Sequence, residues 1–277
     1  MSFLHSSSGA RLAYEDVGTG LPIVFLHPTP LDRNYWRPLL EQLPGVRAIV
    51  PDFRGHGTSE LGANLPTGAF SLVPDAPTLT MAQLAHDTLE LLDHLEIEQA
   101  VFTGCSIGGY VLLELWRQAP QRMRGLAFIC SKPQPDTEAG LQKRVANIHQ
   151  ARSGDVSTMF NGMGQTLIGA TARAQRPAIV SELVSHMTLT QDALVAVQAG
   201  LGARPDSVPT VATINIPVLA IAGGEDVSVT PLEMDAFQAA PGGCSFHVIP
   251  NAGHFSAYEQ PDKIAEIMIG WLAKFGR

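Results

Sequence analysis

Five residues, Gly104-Cys105-Ser106-Ile107-Gly108, constrain this chain more than any others. The apolar run Ala100-Val101-Phe102 ahead of them has strand character, and a helical pattern follows Ile107, so the pentapeptide falls on a sharp strand-to-helix turn. A serine held on such a turn has crowded neighbours two residues to either side, where only a hydrogen side chain lets strand and helix approach. The Gly-x-Ser-x-Gly spacing therefore predicts a nucleophile elbow, with Ser106 projecting from the end of a strand. The helix start beneath it offers free N–H groups and a positive dipole end to negative charge forming beside the hydroxyl.

The segments on either side supply the context that such a turn needs. Residues 2–16 read as two short strands turning at Ser7-Ser8-Gly9, and Gly18-Thr19-Gly20 then breaks the chain. Ile23–Leu26 and Ala48–Val50 are apolar runs of the kind buried on both faces of a sheet, and Leu126–Cys130, Val218–Ala222 and Phe246–Ile249 read as further strands. Between them, helices are expected from Trp36 to Leu43, from a Thr80 N-cap through Leu95, from the elbow to Ala119, from near Pro231, and from Ile264 to Phe275. With the elbow strand this makes an α/β fold with a doubly wound, mostly parallel eight-stranded sheet. From Pro133 to Val211 the rhythm changes to helices alone, which divides the chain into a first core part (1–132), a helical cap (133–211) and a second core part (212–277).

In a parallel sheet all strands end on one edge, and ligands bind there. Thr29, Ser106, Asp226 and His254 each follow a predicted strand. A serine hydroxyl is a poor nucleophile until a base takes its proton, and His254 is the candidate base, oriented by Asp226. Glu225 carries the same carboxylate group one residue earlier. The oxyanion of a tetrahedral intermediate needs two donors: the N–H of Ile107, which follows the nucleophile, and the N–H of Thr29, since Pro28 has none. His27 and His56 precede Ser106 in turns rich in proline or glycine and read as hydrogen-bonding supports, while Asp52 and Arg54 read as structural partners within one turn. Cys105, beside the apex, is expected to be inert packed interior. Trp36 and the cap residues Met159, Met163 and Met187 are the candidates for an apolar substrate wall.

The net charge of −8, with 18 Lys and Arg that form no run, argues against nucleic acid or an anionic membrane as partner and for a neutral or mildly polar small molecule. Cys105, Cys130 and Cys244 are too widely spaced for a metal site, and an odd number makes a disulfide framework improbable. The opening residues lack a basic stretch followed by an apolar one, and no apolar run spans a bilayer, so cytoplasmic residence is the default expectation.

The assembled pieces resemble the α/β-hydrolase fold over essentially the whole chain. They are His27-Pro28-Thr29-Pro30 with Leu31-Asp32 and Trp36, Asp52-Phe53-Arg54-Gly55-His56-Gly57-Thr58-Ser59, the elbow, Asp226 and Gly253-His254, in the order serine, acid, histidine. Within that fold the chain is similar to capped esterases and lactonases of the 3-oxoadipate enol-lactonase and acyl-homoserine-lactone-hydrolysing kind. Asp136-Thr137 and Arg204-Pro205-Asp206-Ser207 match at the two ends of the cap. The resemblance implies a serine hydrolase for a carboxylic ester or lactone, with no metal or organic cofactor, acting as a monomer or homodimer. The same triad also supports carbon–carbon bond hydrolysis or perhydrolysis, and some proteins of the fold are small-molecule receptors. One departure is Pro28, where the family usually has glycine, which stiffens the oxyanion loop.

Overall fold

Every residue of the strands Ala100–Cys105 and Val218–Gly223 is buried, as strands covered by helices on both faces must be. The computed structural model describes residues 1–63 and 65–276. Its sheet contains β1 (Ser2–His5), β2 (Arg11–Gly18), β3 (Leu21–Leu26), β4 (Val46–Pro51), β5 (Ala100–Cys105), β6 (Met123–Ile129), β7 (Val218–Gly223) and β8 (Cys244–Ile249). The strand order is β1-β2-β4-β3-β5-β6-β7-β8. The β1–β2 and β2–β4 pairs are antiparallel and the remaining pairs are parallel.

Register brings the functional loops to one edge. Leu26 is paired with Gly104 and Cys105 with Ile129, so the chain leaves β3, β5 and β6 side by side. Gly223 is likewise paired with Ile249, which sets the turns after β7 and β8 next to each other.

The helices are α1 (Arg37–Leu40), α2 (Met81–His94), α3 (Ile107–Gln118), α4 (Glu138–Arg152), α5 (Val156–Leu167), α6 (Ala170–Gln175), α7 (Ile179–Ser185), α8 (Gln191–Gly202), α9 (Val208–Val211), α10 (Pro231–Met234), α11 (Ser256–Glu259) and α12 (Pro261–Leu272). Helices α4–α9 all lie between β6 and β7. Thr80 caps α2 as the sequence suggests, its hydroxyl accepting from the Gln83 N–H at 3.2 Å. Among the described residues, no helix is long and apolar enough to cross a membrane.

Two helices are shorter than expected. The Trp36–Leu43 segment becomes a 3-10 turn, Arg33–Trp36, begun by Asp32 accepting from Asn34, followed by the single turn α1. Pro44-Gly45 stops it from continuing. At the C-terminus α12 ends at Leu272 and Ala273–Phe275 tightens into a 3-10 turn. The expected Asp52–Arg54 partnership also fails. Asp52 instead accepts from the Arg33 backbone and guanidinium, and Arg54 reaches across to Asp87 on α2, a buried pair that the short sequence spacing concealed.

Candidate active site

Ser106 sits at φ 53°, ψ −117°, a conformation that a side chain bearing a Cβ adopts only under constraint, at about 1–3 kcal/mol. The constraint is visible in its glycine neighbours. A Cβ on Gly104 would lie 2.4 Å from the Gly108 carbonyl carbon, and one on Gly108 would lie 2.2 Å from the Leu26 oxygen. Strand β5, helix α3 and strand β3 therefore meet at distances that only glycine permits. The backbone of Ser106 is pinned on both sides, its N–H donating to the Ile129 oxygen at 3.0 Å and its oxygen accepting from the Ser131 hydroxyl at 2.9 Å.

From this apex runs a continuous relay of hydrogen bonds. Ser106 Oγ lies 2.9 Å from His254 Nε2, and His254 Nδ1 lies 2.7 Å from Asp226 Oδ2. A carboxylate only accepts, so Nδ1 carries the proton and Nε2 is left free to accept from the serine. The other oxygen of Asp226 accepts from the Ser228 and Val229 N–H groups at 2.7 and 3.0 Å, which fixes the carboxylate plane. Glu225 points away and binds Thr171 through that residue's N–H and hydroxyl. All three members are nearly buried, so the relay operates with little competition from water.

The loop after β3 stands opposite. His27 accepts from the Phe53 N–H through Nε2 at 3.0 Å, so its Nδ1 donates to the Pro28 oxygen at 3.0 Å. His56 donates from Nδ1 to the Arg54 oxygen and accepts the Thr29 hydroxyl proton through Nε2, at 2.9 and 3.0 Å. Burial keeps both imidazoles neutral: it lowers His27, and with the nearby His27 it takes His56 down to about 3. Both are supports, as their positions suggested. Cys105 is buried, receives the Tyr35 hydroxyl at 3.3 Å, and has its thiol pushed up by burial, which leaves it unreactive.

Ser106, His254 and Thr29 border a cavity of about 560 Å³. Its roof differs from the apolar one expected. Met159 and Met163 on α5 do line it, but Trp36 and Met187 do not. Trp36 is fully buried, its ring packed against Phe25 and Tyr35 at centroid distances of 5.4 and 4.8 Å, and Met187 is buried in the hydrophobic core. In their place stands a polar face of α4, where Lys143, Arg144, Asn147 and Gln150 recur at helical spacing, with Gln198 of α8 behind them. The cations scattered along the sequence thus gather in space: the described wall carries Lys132, which is paired with Glu233 outside it, together with Lys143 and Arg144, and its one carboxylate is Asp136.

Asp136 accepts from Arg144 Nε at 2.9 Å and Arg204 Nη2 at 2.7 Å, tying the start of the cap to its end. Burial would raise this acid, but the two guanidinium groups outweigh it and hold it at about 2. Arg204 also lies over the Tyr110 ring at 4.4 Å. One carboxylate shared by two guanidiniums leaves positive charge uncompensated at the cavity. The α4 face escapes a search of the sequence for an apolar wall, because Lys143, Arg144, Asn147 and Gln150 are all polar.

The chain matches the alpha/beta hydrolase family model over residues 23–267 and belongs to that family. It is similar to 3-oxoadipate enol-lactonase 1 of Acinetobacter baylyi, 26% identical over 90% of this chain and 88% of the relative. Among solved structures it superposes on a thermophilic esterase from Thermogutta terrifontis, bound to malate, with a TM-score of 0.88, 29% identity and coverage of 99% and 98% of the two chains. It also matches Est816, described as an N-acyl homoserine lactone degrading enzyme, with a TM-score of 0.79, 26% identity and coverage of 97% and 99%. The protein is a hydrolase of this family.

Proposed function

We propose that this hydrolase cleaves a carboxylic ester or lactone through an acyl-serine intermediate. The observation that carries the reading is the unbroken Ser106–His254–Asp226 relay opening onto the cavity. Ser106 Oγ attacks the substrate carbonyl as His254 Nε2 takes its proton, and the resulting imidazolium is stabilised by Asp226. The tetrahedral oxyanion is held by the N–H groups of Ile107 and Thr29, both fixed by the backbone before substrate arrives. Collapse breaks the ester C–O bond, with His254 returning the proton to the leaving oxygen. Water activated by the same imidazole then releases the acid. In a lactone the leaving oxygen stays tethered, so the product is one hydroxy acid.

The cavity wall narrows the substrate class. Methionines and Leu167 on α5 suit an aliphatic stretch, whereas Lys143, Arg144 and Asn147 on α4 suit an anionic or strongly polar end. The malate bound by the similar esterase and the 3-oxoadipate named for the similar enol-lactonase are carboxylates, which fits such an end, and two of the relatives are named for lactones. Acid release in a pH-stat, from a panel of neutral short-chain esters, monoesters of dicarboxylic acids, simple lactones and acyl-homoserine lactones, tests the reading with Ser106→Ala alongside. Sustained release by the wild type alone supports it, and equal release by the variant contradicts it.

A further inference from the structure

His254 owes its position to a residue outside the relay. Glu259, at the end of the one-turn helix α11, is buried, and its carboxylate accepts three backbone N–H groups. Oε2 takes Gly253 at 2.8 Å and Gly169 at 2.9 Å, and Oε1 takes Phe255 at 3.1 Å. Gly253 and Phe255 are the two residues flanking His254, and the His254 N–H itself donates to the Leu167 oxygen at 2.8 Å. Three consecutive amides around the imidazole are therefore spoken for by one carboxylate and one cap carbonyl. Three N–H donors form the partner set of an ionised carboxylate, since a carboxylate accepts at both oxygens and donates at neither.

The third donor, Gly169, belongs to the turn between α5 and α6 in the cap. Here the cap backbone lies directly on the histidine loop: a Cβ on Gly169 would be 2.7 Å from the Gly253 nitrogen and 2.8 Å from Glu259 Oε2. A Cβ on Gly253 would in turn lie 2.4 Å from the Gly169 nitrogen. Two further bonds extend the seam. Thr171 binds Glu225, the neighbour of Asp226, and Arg176 donates to the Tyr258 and Glu259 oxygens at 3.2 and 3.1 Å.

We propose that Glu259 is a positioning residue that holds His254 in line with Ser106 by clamping the amides on either side of it, and that the Gly169 turn makes the cap one jaw of this clamp. The proposal rests on the serine-hydrolase reading above. Its consequence is that the cap and the histidine loop form one unit along residues 167–176, so that a change at Gly169, which does not line the cavity, reaches the chemistry without touching substrate. Glu259→Gln is the sharpest probe. The amide replaces one acceptor by an NH₂ group, and either orientation sets that group against a backbone N–H.

Steady-state kinetics on an ester that the wild type hydrolyses, together with the downfield proton resonance of the His254 Nδ1–H bonded to Asp226, tests the clamp. For Glu259→Gln and Glu259→Ala the expected result is a 10- to 100-fold fall in kcat, with KM within about twofold and the resonance shifted or broadened, as a displacement of the base by a fraction of an ångström produces. Gly169→Ala, with Glu259 intact, is expected to fall in the same direction. Unchanged kcat and resonance in both Glu259 variants, whether or not Tm falls, would make Glu259 only a stabiliser of the loop and overturn the proposal. Unchanged kcat in Gly169→Ala would overturn the cap's share in it. If Glu259→Ala does not fold, Glu259→Gln alone decides. Ser106→Ala in the same assay separates the two levels: activity surviving there refutes the nucleophile, whereas an inert Ser106→Ala beside a fully active Glu259→Gln refutes only the clamp.

Discussion

The floor and the roof of the cavity are built on different principles. On the floor, Ser106, His254, Asp226 and Thr29 stand on tight loops at the ends of strands, and their places are set by backbone: glycine-only approaches, N–H groups on a carboxylate, imidazoles tied to carbonyls. On the roof, Lys143, Arg144 and Asn147 of α4 and Met159 and Met163 of α5 stand on helices, and their places are set by side-chain packing and shared charge. A reacting group needs placement to a fraction of an ångström, which a strained backbone supplies. A recognition wall needs a choice of side chains, which a helix face supplies without disturbing the chemistry below.

The largest expected effect lies on the floor. Ser106→Ala should lower kcat/KM by about 10⁴-fold or more, above ~5.5 kcal/mol of transition-state stabilisation, while circular dichroism and Tm stay near those of the wild type. Substantial turnover in that variant would move the reacting group elsewhere. Next comes Trp36→Ala, which separates the core from the cavity wall. Because Trp36 is wholly buried beside Phe25 and Tyr35, its truncation should cost about 3–5 kcal/mol of stability by denaturant titration. KM at a temperature where the variant remains folded should hardly change. A selective rise in KM would return Trp36 to the substrate.

The difference between floor and roof also explains what could be read from sequence. The elbow, the strand-end acid and the histidine after β8 each follow a strand, so the meeting of Ser106, Asp226 and His254 at one edge was legible, as were the eight strands, although β1, β2 and β8 are only partly buried. The supports His27 and His56 were legible for the same reason. The pairs Arg33–Asp52 and Arg54–Asp87 were not, because their partners are 19 and 33 residues apart and meet only through the sheet. Trp36 and Met187 were chosen for the wall by residue type alone, and bulk hydrophobicity does not distinguish a pocket from a core. The α4 face was hidden differently: Lys143 and Arg144 look like solvated charges until α4 is seen packed against α8, with Asn147 and Arg144 both donating to Gln198 at 3.1 Å.

The roof gives smaller effects. Among the described residues Lys143 has no ion-pair partner, so Lys143→Gln should raise KM several-fold for a monoester of a dicarboxylic acid, about 1 kcal/mol. KM for the matching neutral ester should not move. Equal effects on both esters would mean that α4 does not read charge.

The last effect is on stability rather than turnover, grows as pH falls, and returns to the floor. His27 and His56 are held neutral by burial, His56 down to about 3, whereas in the unfolded chain an imidazole takes its proton near 6.5. The unfolded state therefore binds more protons below pH 6.5, and stability is lost as pH falls from there toward 3. For His56 the loss should approach about 1.4 kcal/mol per pH unit, and His27 adds to it in the same direction. Thermal melts of the wild type and His56→Gln between pH 7.5 and 4.5 measure this: the variant should be less stable at pH 7.5 yet lose stability less steeply, and parallel curves would exclude His56 as a source of the slope.

The most direct test of the central claim is to quench the enzyme during turnover of an activated carboxylic ester and map the acyl group by peptide mass spectrometry. A mass increase equal to the acyl group, confined to Ser106 and absent from Ser106→Ala, is the expected result. Sustained hydrolysis with no acyl group on Ser106 at any quench time, undiminished in Ser106→Ala, would contradict it.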